Sequence, residues 1–138
     1  MRIGIDFGNV IIGGGNEWFG REYLSSPPVP NAYQSILDLA AAGHEIFGVS
    51  KAYPRNQVKT VKWLRTFGFD HIFQQSNTFF VLRREDKAIV ANHMNLDFMI
   101  DDRQDIIDCI NTETECLGLL FTSWTDTMSQ LATHNVRV

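Results

Sequence analysis

Apolar positions along this chain fall into short blocks separated by segments with a helical repeat. Arg2 to Asp6 is a brief apolar run that ends on a carboxylate and reads as a buried strand. From Asn31 the period changes. Tyr33, Ile36, Leu37 and Ala40 recur at the spacing of one buried helix face, and Gly43 suits the left-handed position that ends such a helix. His44 to Ser50 reads as the second strand. Pro54 then fits the first turn of a helix, where its missing N–H costs nothing, with Val58, Val61, Leu64 and Phe67 facing inward and Gly68 stopping it. His71 to Phe73 reads as a third strand. The run Asn77 to Arg84 fits strand or buried loop equally. Asp86 is placed to cap a short helix from Lys87 to Met94. Asp97 to Asp101 reads as a strand that again ends on carboxylates. A helix from Asp105, a strand from Cys116 to Phe121 and a helix from about Thr127 to His134 complete the chain.

Strands alternating with helices predict an α/β sandwich around a mainly parallel sheet. No repeat or low-complexity tract interrupts residues 1–138, so one domain is expected. The long segment from Val10 to Pro30, with Gly13 to Gly15, Pro27, Pro28 and Pro30, has no period. Irregular segments of this length often serve as lids or binding loops, so residues 13–30 are a candidate flap. Trp18, Phe19 and Tyr23 are expected to form one packed face of it, with stacking on a nucleobase as the lesser reading of Trp18 and Phe19. The three glycines are not a phosphate-binding P-loop, because no Gly-Lys-Ser/Thr follows.

Composition narrows the function classes. A net charge of −4 lacks the basic excess of a general nucleic-acid binder, though it permits a small anionic substrate in a local site. No run of about 18 apolar residues is present, and Asp6 breaks the N-terminal apolar stretch, so neither a membrane span nor a signal peptide is expected. The chain reads as cytoplasmic. Cys109 and Cys116, with no metal-ligand spacing, read as reduced core residues rather than a disulfide. His44, His71, His93 and His134 are scattered and read as structural or exposed.

The candidate chemistry follows from where the carboxylates stand. In open parallel sheets ligands bind beyond the carboxyl ends of the strands, where strand order reverses. Asp6, Ser50 and the Asp101–Asp102 pair all fall at predicted carboxyl ends, and Lys87 opens a helix at the same edge. An aspartate can attack phosphorus to form an aspartyl-phosphate. Carboxylate oxygens suit Mg²⁺, and a hydroxyl and an ammonium can hold the transferring oxygens. Each residue also has a plainer role as strand-end cap, turn residue or solvated charge, and Lys87 competes with Arg83, Arg84 and Lys51 for the phosphate. A receiver-type signalling domain uses similar residues but in another order, with its acidic pair after the first strand; here the lone Asp6 comes first.

These residues resemble four motifs of the haloacid-dehalogenase-like superfamily, in that family's order. The segment from Ile3 to Ile11 around Asp6 looks like the first. Val49-Ser50-Lys51 resembles the second, Lys87 the third, and Phe98 to Asp105 the acidic fourth. Glu85-Asp86-Lys87, Ile100-Asp101-Asp102-Arg103 and Leu120-Phe121-Thr122 look closest to the small 5′(3′)-deoxyribonucleotidase branch. The resemblance implies a three-layer, Rossmann-like α/β/α sandwich with a five-stranded sheet. It implies Asp6 as nucleophile and metal ligand, and the Gly8 main-chain carbonyl as a second ligand. Asp101 would ligate Mg²⁺, with Asp102 and Asp105 supporting its water shell. Ser50 and Lys87, with Lys51 beside them, would bind the phosphoryl group of a small phosphorylated substrate such as a nucleotide.

The chain departs from the family pattern at Gly8, where the family usually carries a second aspartate as general acid and base. That raises an alternative: a weak or inactive protein that binds a phosphorylated ligand or a protein partner. Glu17 and Glu22 are replacement acids by position alone. The gaps between motifs are too short for a separate cap domain. An uncapped site of this kind suits a large substrate or a lid from another subunit, so an oligomer is one expectation. The acidic fourth motif argues for metal-dependent chemistry over dehalogenation.

Overall fold

The computed structural model describes residues 1–14 and 20–138. Five strands form one sheet: β1 (Arg2–Ile5), β2 (Glu45–Lys51), β3 (Thr78–Val81), β4 (Phe98–Asp101) and β5 (Leu117–Leu120). Their order is β3-β2-β1-β4-β5, and every pairing is parallel. The helices are α1 (Ala32–Ala41), α2 (Pro54–Thr66), α3 (Lys87–His93), α4 (Gln104–Glu113) and α5 (Trp124–Thr133). Buried side chains of α1, α2 and α5 share one apolar cluster, which includes Ile36, Trp63 and Leu131. Those of α3 and α4, such as Ala88 and Ile110, form a second cluster with Val49 and Met99 of the sheet. The described residues therefore form a three-layer α/β/α sandwich; the alternation of periods predicted the α/β sandwich, and the family resemblance its three layers. No helix among the described residues is long and apolar enough to cross a membrane.

Three expectations need correction. The third strand is Thr78–Val81, not His71 to Phe73. The Phe69 carbonyl accepts the amides of both Ile72 (3.0 Å) and Phe73 (2.9 Å), which curls that run into a turn. The Asn77 side chain ties this turn to the sheet by donating to the Ile72 (2.7 Å) and Ile46 (2.9 Å) carbonyls. In α2 the inner face is Thr60, Trp63 and Leu64, whereas Val58 and Val61 are exposed. Trp63 decides the rotation. Its ring stacks on Phe67 at 4.4 Å, and its indole N–H donates to the Ser26 carbonyl at 2.9 Å. In α1 the buried face is Ala32, Ser35, Ile36 and Leu39, because Tyr33 turns to the rim, edge-on to Phe69 and hydrogen-bonded to His71.

Helix ends also differ in detail. Asp86 does not cap α3 through its side chain but pairs with Arg83 at 3.3 Å. The last helix starts at Trp124, three residues before the expected Thr127, because Ser123 accepts the Asp126 amide and caps it. Residues 26–29 are stitched to the loop after β1: the Gly13 amide donates to Pro27 and the Val29 amide to Ile11, both at 2.8 Å. Glu17, Trp18 and Phe19 lie outside the described residues.

Both cysteines are free thiols, Cys116 buried and Cys109 half-buried. Burial, with Asp97 adding, pushes the Cys116 thiol up to about 12. Since only the thiolate reacts, a disulfide reagent at pH 8 is expected to titrate Cys109 in the native protein and Cys116 only after denaturation. Two equally fast thiols would contradict this packing.

Candidate active site

The strand order reverses between β1 and β4, since β2 and β3 lie on one side of β1 and β5 on the far side of β4. Asp6 directly follows β1 and Asp101 ends β4, so both carboxylates open at this switch point. The Asp6 amide donates to the Ile100 carbonyl at 3.0 Å, which fixes the chain just beyond the strand. Phe7 then anchors the following loop. Its ring packs edge-on against Phe73 at 5.1 Å and lies so close over Gly48 that a Cβ there would overlap it.

The loop closes tightly. The Phe7 carbonyl accepts the amides of Ile11 and Ile12, both at 2.9 Å, and the Asn9 amide donates to Ile12 at 2.9 Å. This bridge uses the groups on either side of Gly8 and leaves the Gly8 carbonyl outside it. Asn9 has φ 64°, a left-handed conformation that asparagine tolerates better than most residues. Its side-chain amide donates to Asp102 at 3.3 Å.

Lys87 reaches this point from the first residue of α3. Its Nζ donates to Asp101 Oδ2 at 2.6 Å and to Asp6 Oδ1 at 3.2 Å, and its side chain is 3% exposed. Asp101 is fully buried and also accepts the Arg103 amide at 3.1 Å. One carboxylate oxygen from each of Asp6, Asp101 and Asp102 lies within 4.8 Å of the others.

Burial pushes Asp6 up to about 8; the Lys87 ammonium opposes the shift, and the Asp101 and Asp102 charges add to it. Asp101 is raised for the same first reason, with Lys87 again opposing. For Lys87, burial works to lower the value, but attraction to Asp6 and Asp101 prevails and keeps the ammonium charged. Among the described residues, three clustered carboxylates thus face a single buried ammonium. A surplus of negative charge held on hard oxygen atoms is the environment a divalent cation such as Mg²⁺ fits.

Among the described residues, the other expected residues make no hydrogen bond to Asp6, Asp101 or Lys87. Ser50 is buried near the end of β2. The Lys51 ammonium lies 4.2 Å from the centre of the Tyr53 ring. Asp105 is exposed and paired with Arg103 at 3.0 and 3.1 Å. Asn9 and the Arg103 amide were not anticipated. Asparagine's tolerance of the left-handed region, directly after the glycine of the first motif, was the one available signal for Asn9.

The all-parallel order with its reversal at two acidic strand ends decides the fold. The fold is haloacid-dehalogenase-like. A hydrolase from Streptococcus pneumoniae TIGR4 superposes with a TM-score of 0.73 at 12% identity, covering 95% of this chain and 97% of that one. The D,D-heptose 1.7-bisphosphate phosphatase from B. bronchiseptica, complexed with magnesium and phosphate, gives 0.65 at 12% identity, over 94% and 86%. By sequence the chain matches two curated proteins. "Putative nucleotidase OB0422" of Oceanobacillus iheyensis is 26% identical over 96 residues, 69% of this chain and 50% of that protein. A "Putative nucleotidase" of Bacillus cereus is 25% identical over 88 residues, 64% and 46%. The chain spans about half the length of the curated relatives it matches. No protein-family model matches it.

Lys87→Met would leave two buried carboxylates facing each other without their ammonium. Breaking a buried pair in this way typically costs about 3–5 kcal/mol. The expected readout is a correspondingly lower urea midpoint in metal-free buffer; an unchanged midpoint would mean that Lys87 does not hold the cluster.

Proposed function

We propose that this chain is a magnesium-dependent phosphomonoester hydrolase that works through an aspartyl-phosphate on Asp6 and takes nucleotide-type substrates. The observation that carries the reading is the meeting of Asp6, Asp101, Asp102 and Lys87 at the switch point. Asp6, Asp101 and the Gly8 carbonyl would hold the metal, with Asp102 and Asp105 supporting its water shell. When bound, Mg²⁺ supplies charge neutralisation, so that an anionic nucleophile can approach an anionic phosphate.

An Asp6 carboxylate oxygen attacks phosphorus, the ester P–O bond breaks, and the leaving oxygen takes a proton from solvent water, since Gly8 offers no side-chain acid; the water that later attacks gives its proton back to solvent. Water then attacks the phosphorus of the aspartyl-phosphate, and Asp6 departs as carboxylate. Lys87 and Ser50, with Lys51, bind the phosphoryl oxygens, and the Lys87 ammonium stabilises charge that builds on them. Asn9 orients Asp102 through its 3.3 Å hydrogen bond. The nucleotide preference rests on the names of the two bacterial relatives and on the sequence resemblance alone. Residues 13–30 would act as a small flap over an otherwise uncapped site.

The test is phosphate release from a panel of phosphomonoesters that includes nucleoside monophosphates, with Mg²⁺ and with EDTA. Metal-dependent release supports the reading and ranks the substrates. A second reading is favoured by Gly8: without a side-chain acid there, the same site binds a phosphorylated ligand or partner and turns over slowly or not at all. Mg²⁺ binding that needs Asp101, without phosphate release from any ester, would put that reading first.

A further inference from the structure

The edge of the sheet at β3 carries a groove that the proposed chemistry leaves unused. β3 is the last strand in the order. The Val81 carbonyl accepts the Ala52 amide on the β2 side at 2.9 Å. Backbone groups of a parallel strand alternate in direction, so those of Thr78 and Phe80 point away from the sheet. Between this edge and α2 lies a groove of about 750 Å³, lined by Val58, Val61, Lys62 and Arg65 of α2 and by Thr78 and Phe80 of β3. Val58 is 69% exposed and Val61 44%, although both recur at helical spacing. The helix carries Arg55, Lys59, Lys62 and Arg65 and no acid, on a chain of net charge −4. Asp70 is the acidic side chain of the groove.

We propose that this edge binds an extended segment of a partner protein as an added strand beside β3, with an apolar and an acidic residue two positions apart facing α2. Main-chain pairing to an open edge supplies affinity, and alternate side chains supply specificity. The valine pair and the Lys62/Arg65 pair are centred four residues apart, about 6 Å along a helix. Residues i and i+2 of a strand are separated by about 6.8 Å, so one face of a strand can match both pairs. Charge complementarity selects an acidic segment.

A second copy of this chain fits poorly. Antiparallel pairing of two β3 edges about a two-fold axis would set two α2 helices on the same face, cations against cations. Single-stranded nucleic acid would meet the cations but could not pair with the strand backbone.

The probe is the octapeptide (Val-Thr-Glu-Thr)2, which sets Val and Glu on one strand face. Its permutation (Val-Glu-Thr-Thr)2 sets them on opposite faces. Binding to the 138-residue chain would be followed by fluorescence anisotropy, and the Phe80 amide by NMR. Saturable binding is expected that moves the Phe80 amide, weakens with salt, and falls about tenfold (~1.4 kcal/mol) in Lys62→Glu/Arg65→Glu, whose two sites are exposed. The permuted peptide should bind more weakly by a similar factor. Equal binding of both peptides, tighter binding of an oligothymidylate, no effect of the double substitution, or a dimer that buries the Phe80 amide in sedimentation and NMR would each overturn the proposal.

Discussion

Asp6→Asn is expected to abolish metal-dependent phosphate release while leaving the fold intact. The substitution keeps the shape of the side chain but removes the nucleophilic oxygen, and losing a covalent nucleophile costs about 10⁴-fold or more in turnover. Folding should not suffer. Asp6 sits among Asp101 and Asp102 with one ammonium between them, and burial already penalises its charge. Burial and the neighbouring Asp101 and Asp102 hold Asp6 up at about 8, so its charged form is disfavoured near neutral pH and the neutral amide removes that cost. The amide oxygen of the substituted side chain can still accept from Lys87, so the metal-free melting temperature should stay level or rise. Sites built for function are commonly paid for in stability, and their removal returns it. Lost activity with an unchanged or higher melting temperature supports Asp6 as nucleophile. Retained metal-dependent release would remove the aspartyl-phosphate from the mechanism.

Gly8→Asp is expected to raise phosphate release by roughly 10²- to 10⁴-fold, the usual contribution of a placed general acid and base. That range corresponds to about 3–5 kcal/mol of barrier. Gly8 is not among the residues with positive φ, so an L-residue is compatible with the backbone there. The Gly8 carbonyl is a main-chain group and survives the change, so the proposed metal ligand is kept. A fourth carboxylate beside Asp6, Asp101 and Asp102 should also make stability more dependent on Mg²⁺. Single-turnover and steady-state rates with the best ester of the panel would measure the gain. If Gly8→Asp stays as slow as the wild type while binding Mg²⁺, the ligand-binding reading gains the ground that the hydrolase loses.

Much of this architecture was readable because burial leaves periodic traces. Short apolar runs ending at Asp6 and Asp101 marked two neighbouring central strands, and strands buried on both faces read as nearly continuous apolar segments. The reading failed where a large side chain overrode the period. Trp63 claimed the inner face of α2 and turned Val58 and Val61 outward, although their spacing alone fits a buried stripe. The edge strand was ambiguous for a related reason. Thr78, Phe79 and Phe80 are only partly buried, so neither a clean alternation nor a fully apolar run appears.

By itself the sequence determined the alternation of strands and helices, and hence that acidic residues following strands would collect at one end of a parallel sheet. Only the tertiary structure decided which partners meet there. In the sequence Lys87 was the leading candidate for the phosphate-binding cation, with Lys51, Arg83 and Arg84 as competitors. In the fold Arg83 is held by Asp86, Lys51 lies against Tyr53, and Lys87 alone of these enters the buried space between Asp6, 81 residues away, and Asp101. The acids divided likewise: Asp102 turned inward to Asn9, while Asp105 stayed at the surface with Arg103. The physical reason is that hydrophobic periodicity records how a segment is buried against its layer. The meeting of two charged side chains depends on the direction in which each loop leaves its strand, and on a desolvation cost that is offset only where opposite charges converge.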